Sequence, residues 1–141
     1  MTGRILIDLF MTLDGVAQGP GGTDEDPSGG FEFSGWQAGY PSSGMGETVS
    51  QGMQRLDALL LGRRTYDIFA SYWPHHTEGP SGEIGRLFDR VPKYVASRNP
   101  DIALAWQNSH RVGDDLAAEI AELRAQHDEV HVIGSLSLIH I

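Results

Sequence analysis

The chain has 141 residues, 40% of them hydrophobic and 21% charged, with a net charge of −9; this fits one globular domain large enough to bury a core. The acidic balance argues against nucleic acid or anionic membrane as the main partner, because counterion release needs clustered cations. Cysteine is absent, which excludes disulfides, thiolate catalysis and zinc–thiolate sites. No apolar run approaches the ~20 residues of a membrane helix. Met1–Ile7 enters a strand pattern without signal-peptide architecture, so the cytoplasm is the expected location.

Taken in chain order, Arg4 to Thr12 is nearly continuous in apolar residues and reads as a strand buried on both faces. Gln18 to Gly30 is dense in Gly, Pro, Asp and Glu, which predicts a long loop with little internal order and the character of a lid. Phe31, Phe33 and Trp36 follow, to pin that loop or to line a pocket. Ser42 or Ser43 caps a helix presenting Met45, Val49, Met53 and Leu56 on one face.

Ala58–Leu61 reads as a buried strand, followed at once by a helix that carries Tyr66, Phe69, Tyr72 and Trp73 and ends at Pro74. A short helix around Ile84, Leu87 and Phe88 and a strand over Val91–Ala96 come next. Trp106 falls on a short strand or extended link, Asp114 caps a helix presenting Leu116, Ile120 and Leu123, and Val130–Ile133 is a strand that halts at Gly134-Ser135. Strands alternating with helices predict an α/β fold, with a mainly parallel sheet covered by helices on both sides.

Three of these strands end alike, at Gly62-Arg63-Arg64-Thr65, at Ser97-Arg98 and at Gly134-Ser135. Ligands of open parallel sheets bind beyond the carboxyl ends of the strands. If the three strands are neighbours, their ends assemble one site of arginines, small hydroxyls and glycines. Helix-start N–H groups and guanidinium forks suit phosphate oxygens. The alternative for Arg63 and Arg64 is a solvated helix start, although cations there oppose the macrodipole.

Arg98 suits the 2′-phosphate that separates NADP from NAD, or else is a surface residue before the Asn99-Pro100 turn. Gly134 is open to the reading of a strand-to-helix corner. Asp14, in Thr12-Leu13-Asp14-Gly15, either bonds its own backbone or meets a substrate and relays a proton. Asp24, Glu25 and Asp26 lack the spacing of a calcium loop, and His75 and His76 lack metal-ligand spacing, so no metal is expected. His131 reads as a structural histidine within its strand. Hydrolase chemistry lacks a nucleophile elbow.

Thr12-Leu13-Asp14-Gly15, Leu59-Leu60-Leu61-Gly62-Arg63-Arg64-Thr65-Tyr66, Tyr94-Val95-Ala96-Ser97-Arg98 and Val132-Ile133-Gly134-Ser135 together resemble the dihydrofolate-reductase-like superfamily. More narrowly, they are similar to the reductase domain of bacterial riboflavin biosynthesis and its stand-alone relatives. Asp26-Pro27-Ser28-Gly29-Gly30-Phe31-Glu32-Phe33 adds to that likeness.

The resemblance implies a three-layer fold on a mixed, mainly parallel sheet, and an NADPH-dependent reductase of the 5-amino-6-(5-phosphoribosylamino)uracil reductase type. It implies that Gly62, Arg63, Arg64 and Thr65 hold cofactor phosphates. Ser97 and Arg98 sit near the 2′-phosphate, and Gly134 and Ser135 contact the pyrophosphate or nicotinamide side. Asp14 is implied as the catalytic residue, with Leu13, Gly15, Phe33 and Trp36 along a small-molecule substrate.

Members of the superfamily continue past the Gly-Ser turn into a helix and further antiparallel strands. By that measure the single domain 1–141 is C-terminally incomplete, with its last strands missing and a tail, Leu136–Ile141, unlike the family's helix. Related domains pair, so a homodimer is compatible with the likeness. Two rivals remain: a non-catalytic nucleotide-binding fragment, and a true dihydrofolate reductase. Neither Glu47 nor Asp57 stands where that enzyme places its pterin-binding acid.

Overall fold

The computed structural model describes residues 2–40 and 42–139; of the tail, His140 and Ile141 lie outside the described residues. The chain forms two compact units, Met1–Asp8 with Gln54–Ile141, and Leu9–Met53. The first holds five strands, β1 (Arg4–Asp8), β2 (Ala58–Gly62), β3 (Lys93–Ala96), β4 (Ser109–Val112) and β5 (Glu129–Ile133). They form one sheet in the order β1-β5-β2-β3-β4, and every pairing is parallel. The expected α/β class holds, with the sheet uniformly parallel rather than mixed.

The apolar run Ala58-Leu59-Leu60-Leu61 occupies the centre of the sheet and is buried throughout. One face packs Ala58, Leu60, Val112, Val130 and Val132 against Leu116, Ile120 and Leu123 of helix α4 (Leu116–Gln126). Leu138, in the single helical turn α5 (Leu136–Ile139), joins the same cluster. Within the tail, these four residues form a single helical turn, whose apolar Leu138 has a core to reach. Alternation sends Leu59, Leu61, Lys93 and Val95 to the opposite face. There α2 (Arg63–Tyr72) and α3 (Gly82–Arg90) contribute Tyr66 and Phe88, each about 1% exposed.

One expectation fails at a sheet edge, and the other edge is a strand that sequence reasoning does not mark. β1 pairs only from Arg4 to Asp8 and is an edge strand, with Ile7 54% exposed. A continuous apolar run does not reveal how many neighbours a strand has. The other edge, β4, has only Val112 as a strong apolar signal, and its pairing with β3 is a tertiary outcome. Trp106 lies in the loop before β4, where its backbone N–H donates to Tyr66 Oη (3.0 Å) and its Nε1 to Asp89 Oδ1 (2.9 Å). The helix cap moves by one residue: Asp115 accepts from Ala118 N–H, while Asp114 pairs with Arg111.

Lys93, the sole lysine, is fully buried. Its Nζ donates to the carbonyls of Phe88 and Asp89 at the end of α3 (both 2.9 Å) and lies 4.3 Å from the Trp106 ring centre. This satisfies the ammonium and the last carbonyls of the helix together. Burial lowers the Lys93 pKa to about 8, against the opposing pull of Asp89. The unfolded chain then binds more protons than the folded chain between about 8 and the ordinary 10.5, so this group makes stability rise with pH across that window. Lys93→Met should abolish the rise, as read from denaturation midpoints of both proteins on the alkaline side. An unchanged slope would mean that the ammonium is solvated.

The second unit carries α1 (Ser43–Gly52), capped by Ser42 Oγ accepting from Met45 N–H as expected. Its long loop is more ordered than the composition suggests. Gln18 Nε2 donates to the carbonyls of Asp26 and Ser28, Glu25 Oε2 accepts from the N–H groups of Gly21 and Gly22, and Trp36 Nε1 donates to the Gln18 carbonyl. Side-chain partners replace the regular ladder, which is how a loop satisfies its backbone.

Candidate functional site at the carboxyl ends of the strands

β2 runs straight into α2 at Gly62, which as the N-cap offers no side chain to the first turn of the helix. The β2–β5 register pairs Ala58 with Val130. Continued along both strands, it brings Gly62 level with Gly134. Gly62 N–H donates to Ser135 Oγ (2.9 Å), and the same hydroxyl donates to the Ile133 carbonyl (3.0 Å). Ser135 is thus buried and committed to holding the ends of β2 and β5 together. Gly134 is exposed at φ 58°, and only the Thr65 side chain, 3.9 Å away, stands near where a Cβ would lie. Gly62, Thr65, Gly134 and Ser135 therefore form one small-residue crevice.

Ala96 pairs with Gly62 and with Val112, so Ser97-Arg98 leaves the sheet beside this crevice. Ser97 Oγ accepts from Asn99 N–H (3.1 Å), and Arg98 is exposed. Arg111, which sequence reasoning passes over, donates from one terminal nitrogen to the Ser97 carbonyl (2.8 Å) and from the other to Asp114 (2.6 Å). That bond from Arg111 lowers the Asp114 pKa and raises that of the guanidinium. Nothing in the weak strand pattern of β4 flags it.

The two helix-start arginines differ. Arg63 Nε donates to both carboxylate oxygens of Asp67 (2.9 and 2.8 Å), a half-exposed i,i+4 pair of the kind worth little to stability. Arg64 is exposed.

The remaining expected residues belong to the second unit. Asp14 is exposed and accepts from Thr12 Oγ1 (2.6 Å), while Thr12 Oγ1 also accepts from Val16 N–H and Gly15 adopts φ 91°. The Thr12 hydrogen bond, with a second from its own backbone N–H, lowers the Asp14 pKa. The local-bonding reading of Asp14 is the arrangement present. Leu13 and Phe33 are strongly exposed, Phe33 meeting Phe31 edge-on at 5.9 Å, and Trp36 is half-buried.

A second charged group joins residues that sequence reasoning does not connect. His131, central in β5 and fully buried, bonds Asp8 Oδ2 of β1 through Nδ1 (2.5 Å) and Glu129 Oε1 through Nε2 (3.2 Å). Arg4 donates to the other Glu129 oxygen (2.5 Å). Burial would depress the His131 pKa, but the bonds to Asp8 and Glu129 prevail and raise it. Burial pushes Glu129 upward, and the bonds from His131 and Arg4 outweigh it and lower the pKa. The structural reading of His131 holds; its partner Asp8 lies 123 residues away in the chain, beyond any local signal.

Among the described residues, no group of three or more His, Cys, Asp or Glu side chains is placed to hold a metal, and no helix is long and apolar enough to cross a membrane. Residues 4–140 match the family model described as the RibD C-terminal domain. The uncharacterized protein YyaP of Bacillus subtilis (strain 168) is 25% identical over 138 residues, 96% of this chain and 65% of that protein. The chain thus spans just under two thirds of the length of that curated relative.

Proposed function

This chain belongs to the RibD C-terminal domain family, a reductase family, and on that premise we propose that it binds NADPH and reduces a small heterocyclic substrate. The substrate class we favour is that of 5-amino-6-(5-phosphoribosylamino)uracil. The observation that carries the reading is the crevice of Gly62, Thr65 and Gly134, with Ser97-Arg98 leaving the adjacent strand.

The donor set fits a dinucleotide. Gly134 leaves an exposed space where a side chain would stand, so backbone can approach a pyrophosphate closely. The uncapped start of α2 presents N–H groups to anions. Ser135 supports this crevice by bonding its two walls, rather than by offering a free hydroxyl. Arg63 retains its terminal nitrogens for phosphate while Asp67 holds Nε. Arg98 supplies the charge for a 2′-phosphate. Bound NADPH would supply hydride, and the residues here orient it. Asp14 and the side chains of Leu13, Phe33 and Trp36, with Gly15 shaping the turn, are proposed for the substrate.

Thermal-shift titration with NADPH and NADH tests this on the wild-type chain and on Arg98→Ala. NADPH at ~100 times its Kd should stabilise the wild type by about 2.7 kcal/mol. Arg98→Ala should weaken NADPH by about 1.5–3 kcal/mol while sparing NADH. Equal losses for both cofactors would remove the 2′-phosphate assignment, and a cooperative melt that neither cofactor shifts would overturn the reading.

A further inference from the structure

Arg111 is no part of the crevice, yet its side chain holds the turn that carries Arg98. The β3–β4 register sets Arg111 beside Val95, two residues before Ser97. One terminal nitrogen donates to the Ser97 carbonyl (2.8 Å) and the other to Asp114 Oδ1 (2.6 Å). The Arg111 side chain is 18% exposed and that of Asp114 80%. An ion pair so open to water on one side adds little stability; it braces the guanidinium that grips Ser97.

Both backbone groups of Ser97 are tied to the segment that ends β4. Its N–H donates to the Val112 carbonyl (2.9 Å), and its carbonyl accepts from Arg111. Gly113, at φ 135°, passes so close that a Cβ there would stand 2.7 Å from the same carbonyl oxygen. Gly113 N–H in turn donates to Glu119 Oε2 of α4 (2.6 Å). Beyond Arg98, Asn99 N–H donates to Ser97 Oγ (3.1 Å) and Asp101 N–H to Asn99 Oδ1 (3.0 Å). The backbone is thus fixed on both sides of one exposed arginine, whose own side chain has no hydrogen-bond or ion-pair partner among the described residues.

The geometry points to Arg111 as a positioning residue: through the Ser97 carbonyl it holds Arg98 in place for the 2′-phosphate, and so sets the preference between dinucleotides with and without that group. The inference rests on the reductase reading and deepens it by adding a specificity-determining residue that touches no cofactor. A loose turn would lose freedom each time Arg98 met a phosphate, and a backbone fixed in advance removes part of that cost.

Other roles for Arg111 differ in what they predict. A guanidinium that acted on the phosphate directly or through space would be missed whether or not Arg98 is present. One that served stability alone would affect both cofactors alike. Positioning through Arg98 requires that the effect of losing Arg111 vanish once Arg98 is gone.

NADPH and NADH are titrated into the full chain as wild type, Arg111→Met, Arg98→Ala and the double variant. Arg111→Met should weaken NADPH by about fivefold and leave NADH unchanged. In the Arg98→Ala background it should weaken NADPH no further. Asp114→Ala, at an exposed position, is the second variant should Arg111→Met fail to fold. Removal of an acid would by charge alone strengthen NADPH, whereas loss of the brace should weaken it, by less than Arg111→Met does. Without cofactor, amide hydrogen exchange at Asn99 should quicken in Arg111→Met while β2 stays protected.

Equal losses for both cofactors, a loss that persists without Arg98, tighter NADPH binding by Asp114→Ala, or unchanged exchange at Asn99 would each overturn the inference. NADPH binding that needs Arg98 and ignores Arg111 would sink this inference alone and keep the reductase reading. A wild type that binds neither cofactor would sink both.

Discussion

Glu129→Ala is expected to destabilise the protein by about 3–5 kcal/mol, the cost of stripping one partner from a buried charge. Glu129 is 3% exposed, and its two oxygens serve His131 and Arg4. Alanine leaves the His131 Nε2 without an acceptor in the middle of the sheet. The pH dependence has a definite sign. The folded pKa of His131 lies above its ordinary 6.5, so its contribution is complete below that value and fades as pH rises through the folded pKa. The folded pKa of Glu129 lies below its ordinary 4.5, so its contribution is complete above that value and fades as pH falls through the folded pKa.

The row is therefore most stabilising between pH 4.5 and 6.5. Chemical denaturation of wild type and variant from acid to neutral pH should show the difference peaking there. A loss below about 1 kcal/mol, the range of exposed pairs, would mean that water reaches the row.

Phe88→Ala should cost about 3–5 kcal/mol through lost transfer energy and the cavity left behind. Phe88 is 1% exposed, stacks on Phe69 with ring centres 5.8 Å apart, and meets Trp73 edge-on at 5.0 Å. Its carbonyl also receives Lys93 Nζ, a bond the substitution leaves intact. The loss should therefore appear as lower stability with the Lys93 pH dependence preserved. If the alkaline rise disappears too, the end of α3 has shifted and the aromatic cluster was positioning the lysine.

Several elements were legible because their signals are local. Ala58-Leu59-Leu60-Leu61 followed by glycine marks a buried strand entering a helix, and Pro74 ends that helix because it lacks a donor N–H. Ser42 marks the start of α1 by the same kind of short-range chemistry. The matching strand ends at Gly62, Ser97 and Gly134 were readable as motifs. Their adjacency was conditional on strand order, and the sheet fulfils it by placing β2 between β5 and β3.

What the sequence by itself determined was the alternation of elements, their approximate limits and the residue types at each turn, since periodicity, caps and breakers act over a few residues. The tertiary structure alone decided that β1 is an edge, that β4 pairs at all, and that Ser135 closes β2 onto β5. It also decided that Lys93 is buried over Trp106 and that Asp8 meets His131 across 123 positions of chain. Each of these depends on which distant backbones become neighbours, and an isolated hydroxyl, ammonium or carboxylate carries no mark of the partner that will satisfy it.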